Sequence, residues 1–153
     1  MSSIRIYCDG ACRNNGNPSA AAGYGIYVSN GHTHFMRVPI DEPQTNQRAE
    51  LLALAYALNY AAEISPMPTD IYSDSKYALD CIGKWGPDWK LHGWIKSNKK
   101  PIQHLPLIQT MLSIYEDIAN YTSLNHIRSH TGGIDIHSQG NAEADKLANS
   151  ALE

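Results

Sequence analysis

One dipeptide, Asn30-Gly31, constrains the fold more than any other feature, because this pair favours a tight turn between two antiparallel strands. The residues on either side of it, 22–29 and 32–38, have the composition of strands. Residues 4–9 alternate in side-chain character and predict an earlier strand. The chain is therefore expected to open with a three-stranded antiparallel meander.

Helix and strand patterns alternate after this meander. Thr45 has the side chain of an N-cap for a helix that continues to residue 64, and Pro66 and Pro68 then end it. The later segments are a strand at 70–73, a helix starting at Asp74-Ser75, a basic segment at 83–103, a helix at 105–121, a strand at 124–128 and a helix at 141–152. This order predicts an α/β fold with a mixed sheet and flanking helices, in a single domain over residues 1–153.

Composition narrows the class of protein. Hydrophobic residues make up 42% and charged residues 18%, which excludes a disordered or fibrous chain. No apolar run approaches the roughly 18 residues of a membrane helix, and no leader precedes the first strand, so we expect an intracellular, cytoplasmic protein, with other compartments open. Three cysteines without repeated spacing predict reduced thiols. A net charge of −3, taken alone, argues against a nucleic-acid partner.

Four acidic residues, Asp9, Glu50, Asp74 and Asp145, lie at strand ends or near helix starts. Each alone has an ordinary explanation as a turn residue, a helix cap or a partner of the helix dipole. The first and fourth strands are expected to be neighbours, however. Asp9 and Asp74 would then both project from the carboxyl edge of the sheet, where open α/β sheets bind ligands.

Clustered carboxylates repel each other unless cations neutralise them. Oxygen ligands with little Cys or His favour Mg²⁺ or Mn²⁺ over zinc. Two such ions about 4 Å apart suit an in-line phosphoryl displacement. The spacing of the acids makes such a two-metal site available without establishing its geometry.

Six motifs follow one another along the chain. They are residues 9–12 (DGAC), 45–51 (TNQRAEL), 72–75 (YSDS), 89–94 (WKLHGW), 129–132 (SHTG) and 140–148 (GNAEADKLA). In this order they make the chain resemble type 1 ribonuclease H over nearly its whole length. The resemblance implies the ribonuclease H-like fold, a five-stranded mixed sheet of three antiparallel strands and then two parallel ones, flanked by helices.

The resemblance also implies an activity and a set of catalytic residues. The activity is endonucleolytic hydrolysis of the RNA strand of RNA–DNA hybrids with two Mg²⁺ ions, or Mn²⁺ as a substitute, giving 5′-phosphate and 3′-hydroxyl products. The implied metal ligands are the same four carboxylates, and His130 is the implied loop histidine for product release or proton transfer. Two alternatives are a nuclease of the same fold that cleaves DNA and a catalytically silent hybrid-binding module. No protein partner is implied, and a monomer is expected.

Substrate contacts are expected in two regions. Near the start of the first helix, the resemblance implies minor-groove contacts by Asn15, Asn46 and Gln47 and a DNA-phosphate contact by Thr45, although turn and cap roles also suit these residues. In the basic segment, residues 84–100 carry a net charge of +4. Residues of this protrusion that are candidates for gripping the DNA strand are Trp85, Trp89 and Lys90, and tryptophans here could instead be core anchors. Asn141 completes the implied substrate-binding set.

Four departures from the family pattern stand out. Pro43 and His104 replace residues that often build a phosphate pocket, which predicts a weaker or differently built pocket. Gly86-Pro87 predicts a helix break within the basic segment. Residues 131–140 are longer than expected and predict a mobile flap that contains Asp135 and His137.

Overall fold

The computed structural model describes residues 3–128 and 135–153. Its strands are β1 (Ile4–Arg13), β2 (Ala21–Val28), β3 (Thr33–Arg37), β4 (Thr69–Ser73) and β5 (Thr122–His126). Its helices are α1 (Asn46–Glu63), α2 (Lys76–Gly83), α3 (Trp85–Leu91), α4 (Leu105–Ile118) and α5 (Ile136–Ser150). The sheet order is β3-β2-β1-β4-β5, antiparallel among the first three strands and parallel for β1 with β4 and β4 with β5. The predicted mixed sheet is confirmed.

The main core lies between one face of the sheet and the helices α1, α2 and α4. Ile6, Ile26 and Ile71 project from three neighbouring strands and are fully buried against this layer. In α1, residues such as Leu54 and Leu58 recur at helical spacing and are also fully buried. The same alternation that predicts strands therefore supplies the apolar face of the sheet.

The opposite face of the sheet is covered by α5 at very short range. A Cβ atom on Gly25 of β2 would lie 2.4 Å from the backbone nitrogen of Ala148 and 2.5 Å from the backbone oxygen of Ala144. Near the start of the helix, a Cβ on Gly140 would lie 2.5 Å from the ring of Tyr7. Because Gly25 and Gly140 have no side chain, α5 packs directly against β1 and β2.

Several element boundaries differ from the sequence prediction, and three of them bear on the site. β1 continues past Asp9 to Arg13 because β2 pairs with it along this whole length. β5 begins two residues earlier than expected. α5 begins five residues earlier, because Asp135 caps it by accepting hydrogen bonds from the backbone amides of His137 and Ser138 at 3.0 Å each. Residues 136–140 of the predicted flap are therefore helix, and residues 131–134 lie outside the described part.

The helix break predicted at Gly86-Pro87 is wrong in position, because α3 runs through both residues and the break lies at Lys84 instead. Pro87 lies in the first turn of α3, where its missing amide hydrogen is not needed by the helix. Gly86 is required there because a Cβ would lie 2.3 Å from the carbonyl oxygen of Cys81. All three cysteines are free thiols. Among the described residues, no helix is both long and apolar enough to span a membrane.

Candidate active site

Three of the four predicted acids meet at the centre of the sheet. Asp9 is only 6% exposed and accepts a hydrogen bond from the amide of Gly10 at 2.9 Å. Its side chain lies beside the carboxyl groups of Asp74 and Asp145, which both act on its ionisation. Burial above all, and then the charges of these two neighbours, raise the pKa of Asp9 to about 9. Asp9 therefore holds a proton at neutral pH when no cation is bound.

The topology explains why these three residues meet. Cys8 of β1 lies beside Ser73, the last residue of the parallel strand β4, so the next residues along the chain, Asp9 and Asp74, lie side by side at the end of β4. Across the antiparallel pair, Asp9 lies opposite Gly25, the residue on which α5 rests. This close packing brings Asp145 of α5 over Asp9.

Glu50 is placed beside the cluster by a second close backbone approach. A Cβ on Gly10 would lie 2.6 Å from the backbone nitrogen of Glu50, so only glycine permits this contact between β1 and α1. The hydroxyl of Ser75 donates to Glu50 Oε2 at 2.5 Å. Burial raises the pKa of Glu50, the Ser75 hydrogen bond opposes this rise, and the charge of Asp74 adds to it.

Ser75 makes two side-chain hydrogen bonds, of which the sequence predicts only one. Its position after Asp74 and before a helix predicts an N-cap, and its Oγ does accept a hydrogen bond from the amide of Ala78 at 3.1 Å. The second bond of this hydroxyl, to Glu50, joins residues 25 apart in the sequence. No local pattern signals that bond.

The donor set of the cluster fits a hard divalent cation. Within residues 3–128 and 135–153, no salt bridge involves any of the four acids, so their charge is not neutralised by Lys or Arg. The donors are carboxylate oxygens, which suit Mg²⁺ better than zinc. In the same described part, no three Asp, Glu, His or Cys side chains form a ready ligand set. The raised pKa of Asp9 favours its protonated form, and a bound cation would favour its carboxylate form instead.

The predicted minor-groove residues lie together at the start of α1. Thr45 caps this helix by accepting from the amide of Arg48 at 3.1 Å, and the amide of Asn46 donates to Asn15 Oδ1 at 3.3 Å. Asn15, Asn46 and Gln47 are exposed. The loop after β1 and the first turn of α1 therefore form one polar surface close to Glu50.

The basic segment forms one side of a groove of about 620 Å³. We call this the tryptophan groove; it is lined by Gln47, Tyr77, Trp85, Trp89, Lys96, Lys100, Pro101, Ile102 and Gln103. The rings of Trp85 and Trp89 have centroids 6.0 Å apart, and both side chains are half-buried against the core. They therefore anchor the segment and also present surface to the groove. Lys90 instead pairs with Glu116 at 2.8 Å.

The predicted phosphate pocket has an unusual lining. A depression of about 320 Å³ lies beside Pro43, Thr45 and His104. Arg48 is paired with Glu42 at 2.5 Å and contacts Nδ1 of His104, one of the lining residues, at 3.3 Å. Burial and the Arg48 charge lower the pKa of His104, so its ring is neutral at pH 7.

Two residues singled out by the sequence, Asn141 and His137, lie in α5. Asn141 is 5% exposed, and its Oδ1 is buried without a hydrogen-bond partner among the described residues. His137 is held by the Tyr7 hydroxyl, 2.8 Å from its Nδ1. His130 lies outside the described residues.

Comparisons with known proteins agree with this architecture. A family model described as RNase H matches residues 1–153. The ribonuclease H of Erythrobacter litoralis is 33% identical over 154 residues, covering 100% of this chain and 98% of the relative. That of Agrobacterium fabrum is 35% identical over 153 residues, covering 100% and 97%.

Solved structures also match. The solution structure of the PFV RNase H domain has a TM-score of 0.80 and 28% identity, covering 97% of this chain and 93% of that one. A foamy viral protease-reverse transcriptase in complex with an RNA/DNA hybrid has a TM-score of 0.82 and 25% identity, covering 97% and 20%. The resemblance drawn from the six motifs is thus confirmed, and the chain belongs to the ribonuclease H family.

Proposed function

We propose that this chain is an endoribonuclease that hydrolyses the RNA strand of RNA–DNA hybrids, with Mg²⁺ as cofactor. The observation that carries the proposal is the buried contact of Asp9 with Asp74 and Asp145, which Lys and Arg leave unneutralised in the described part of the chain. The ribonuclease H family generally uses divalent metal ions. A foamy viral relative of known structure is bound to an RNA/DNA hybrid.

The four carboxylates, Asp9, Glu50, Asp74 and Asp145, are the proposed ligands. When bound, two divalent ions would activate water and neutralise charge on the leaving oxygen. Release of the Asp9 proton prepares the oxygen atoms that bind them. Ser75 holds Glu50 in place through its hydroxyl hydrogen bond. Hydrolysis breaks the bond between phosphorus and the 3′ oxygen, leaving a 5′-phosphate and a 3′-hydroxyl, and we assign proton transfer or product release to His130.

Selection of the RNA strand is proposed to depend on the surface formed by Asn15, Thr45, Asn46 and Gln47. Amide side chains can both donate to and accept from a 2′-hydroxyl, which distinguishes RNA from DNA. The tryptophan groove supplies exposed Lys100 and half-buried Lys96 beside Trp85 and Trp89, a combination suited to the partner DNA strand. Asn141 and Lys90 complete the proposed substrate-binding set.

The test compares Asp74→Asn with Asp70→Asn. Both residues lie on or just after β4, and Asp70 accepts a hydrogen bond from the hydroxyl of Ser123, away from the cluster. Labelled RNA–DNA hybrid, double-stranded RNA and duplex DNA are incubated with each protein and Mg²⁺ or Mn²⁺. We expect the unaltered protein and Asp70→Asn to cleave only the hybrid, and Asp74→Asn to bind it without cleaving.

Other outcomes distinguish the alternatives. Cleavage of duplex DNA in place of the hybrid would identify a DNA nuclease of the same fold. Hybrid binding by the unaltered protein without products in either metal would identify a silent binding module. If Asp74→Asn neither folds nor binds the hybrid, the assigned role of this residue is contradicted.

A further inference from the structure

A second groove, separate from the tryptophan groove, runs along the other side of α2. It has a volume of about 330 Å³ and lies between α2, α4 and β5. The residues of this α2–β5 groove that matter here are Lys76, Asp80 and Lys84 of α2, Tyr115 of α4 and His126 of β5. Tyr77, the neighbour of Lys76, faces the tryptophan groove. Helix α2 therefore separates two grooves that both carry lysines.

The α2–β5 groove begins at the proposed catalytic residues. His126 lines the end of the groove nearest Asp74, and its Nε2 lies 3.3 Å from the main-chain oxygen of Asp74. A carbonyl oxygen can only accept, so this nitrogen carries the hydrogen and donates. Lys76 follows Asp74 by two residues, in the first turn of α2. A nucleic-acid strand placed on the carboxylates therefore reaches this groove without crossing the helix.

Within residues 3–128 and 135–153, no ion pair neutralises the lysines of the groove. Lys76, Asp80 and Lys84 follow one another at intervals of four residues, the spacing at which opposite charges pair on a helix. No salt bridge forms between them in the described part of the chain, and both lysines are exposed. Two ammonium groups against one carboxylate leave the groove with net positive charge. An anionic ligand is the natural partner for such a surface.

We propose that the α2–β5 groove binds backbone phosphates of the cleaved strand beyond the scissile bond. The inference rests on the proposed function, because it assumes that a strand of a hybrid is held at the carboxylates. From Lys76 to Lys84 the helix rises about 12 Å, roughly the length of three to four nucleotides. The groove thereby lengthens the footprint on the cleaved strand, while the tryptophan groove remains for its partner strand.

The test uses Lys84→Gln, Lys76→Gln and Asp80→Asn. These side chains line the surface of α2, so their replacement leaves the core intact. The matched control is Arg37→Gln, which removes one exposed positive charge from β3 at the opposite edge of the sheet. KM and kcat are measured on a hybrid with a single cut site over a range of salt concentrations, and again on hybrids shortened on either side of the cut.

We expect each lysine variant to raise KM about three- to ten-fold at low salt, and to reduce the log–log salt slope by about 1. Asp80→Asn should change KM in the opposite direction, because it removes the only acid of the groove named above. The Lys84→Gln effect on KM should vanish for hybrids shortened on one side of the cut and persist for those shortened on the other. Arg37→Gln should behave like the unaltered protein.

Two results would overturn the inference. Hybrid cleavage with unchanged KM and salt slope in both lysine variants would reject the groove and leave the proposed function intact. A Lys84→Gln effect of equal size on every hybrid length would show a general charge effect and would also reject it. If the unaltered protein cleaves no hybrid, the proposed function and this inference fail together.

Discussion

Replacing Asp9 by Asn should stabilise the metal-free protein. The pKa of Asp9 is about 9 in the folded chain, against an ordinary value of 3.8, so folding at pH 7 requires this group to take up a proton. That uptake opposes folding by on the order of 4 kcal/mol at pH 7 and roughly 2 kcal/mol at pH 5. Asparagine is neutral and can donate through its amide, so the variant avoids the uptake.

The sign of the pH dependence follows from the raised pKa. The stabilising contribution of a protonated Asp9 is fully present below pH 3.8 and is lost as the pH rises toward 9. We therefore expect Asp9→Asn to raise Tm by up to about 10 °C at pH 7 in EDTA, and by less than half of that at pH 5. Thermal unfolding followed by circular dichroism measures both values.

The second half of this experiment measures Tm again after Mg²⁺ is added. A cation that binds only the folded protein and replaces the Asp9 proton should raise the Tm of the unaltered protein at millimolar Mg²⁺. The same addition should have a much smaller effect on Asp9→Asn, which has lost a ligand. Asp41→Asn, which alters an exposed aspartate, is the matched control and should change stability by no more than about 0.5 kcal/mol. If Asp9→Asn is no more stable than the parent at pH 7, or if its advantage is the same at pH 5, the reasoning is refuted.

Two further predictions concern the contacts that position the acids. Gly25→Ala places a Cβ 2.4 Å from the Ala148 nitrogen, which forces α5 away by about 1 Å. We expect the free energy of unfolding, measured in urea, to fall by about 1–3 kcal/mol and kcat to fall about 100-fold. A fully active variant would contradict the placement of Asp145 by this contact. Ser75→Ala removes both the α2 cap and the Glu50 hydrogen bond, so stability should fall by about 1 kcal/mol and kcat should fall as well. Ser75→Thr keeps the hydroxyl and should restore kcat, whereas failure of this rescue would leave only a capping role.

The acidic cluster must be tightly packed to bring its carboxyl groups together, but this packing buries negative charge. This conflict explains the expected effects of Asp9→Asn on stability. The packing that brings Asp145 and Asp74 to Asp9 also buries negative charge. In the metal-free protein this raises the pKa of Asp9 and favours its protonated form. Among the described residues, no Lys or Arg neutralises the cluster. Burial of these unneutralised acids therefore lowers the stability of the metal-free protein, as is common for functional sites, and the proposed cation would relieve this cost.

Much of this protein could be predicted from local sequence patterns. The Asn30-Gly31 turn and the strand alternation predicted the meander, and Thr45 and Ser75 predicted the helix starts, because turns and caps depend on residues within a few positions of each other. The six motifs were enough to indicate the family. They named the four acids as candidates before any distance was known.

Other features depended on contacts between distant segments. The sequence does not predict the early start of α5 at Ile136, because the apolar pattern of that helix begins only later. The Ser75–Glu50 bond, the pairing of Arg48 with Glu42 and His104, and the pairing of Lys90 with Glu116 all join side chains from different elements or loops.

The sequence by itself determined which elements form and which residue types are present for the chemistry. Only the tertiary structure decided that Asp9 is the acid that keeps a proton, because its pKa depends on burial and on the distances to Asp74 and Asp145. Those distances depend in turn on backbone contacts at Gly10 and Gly25, where the absence of a side chain lets two elements touch. A glycine in the sequence does not show which backbone will approach it.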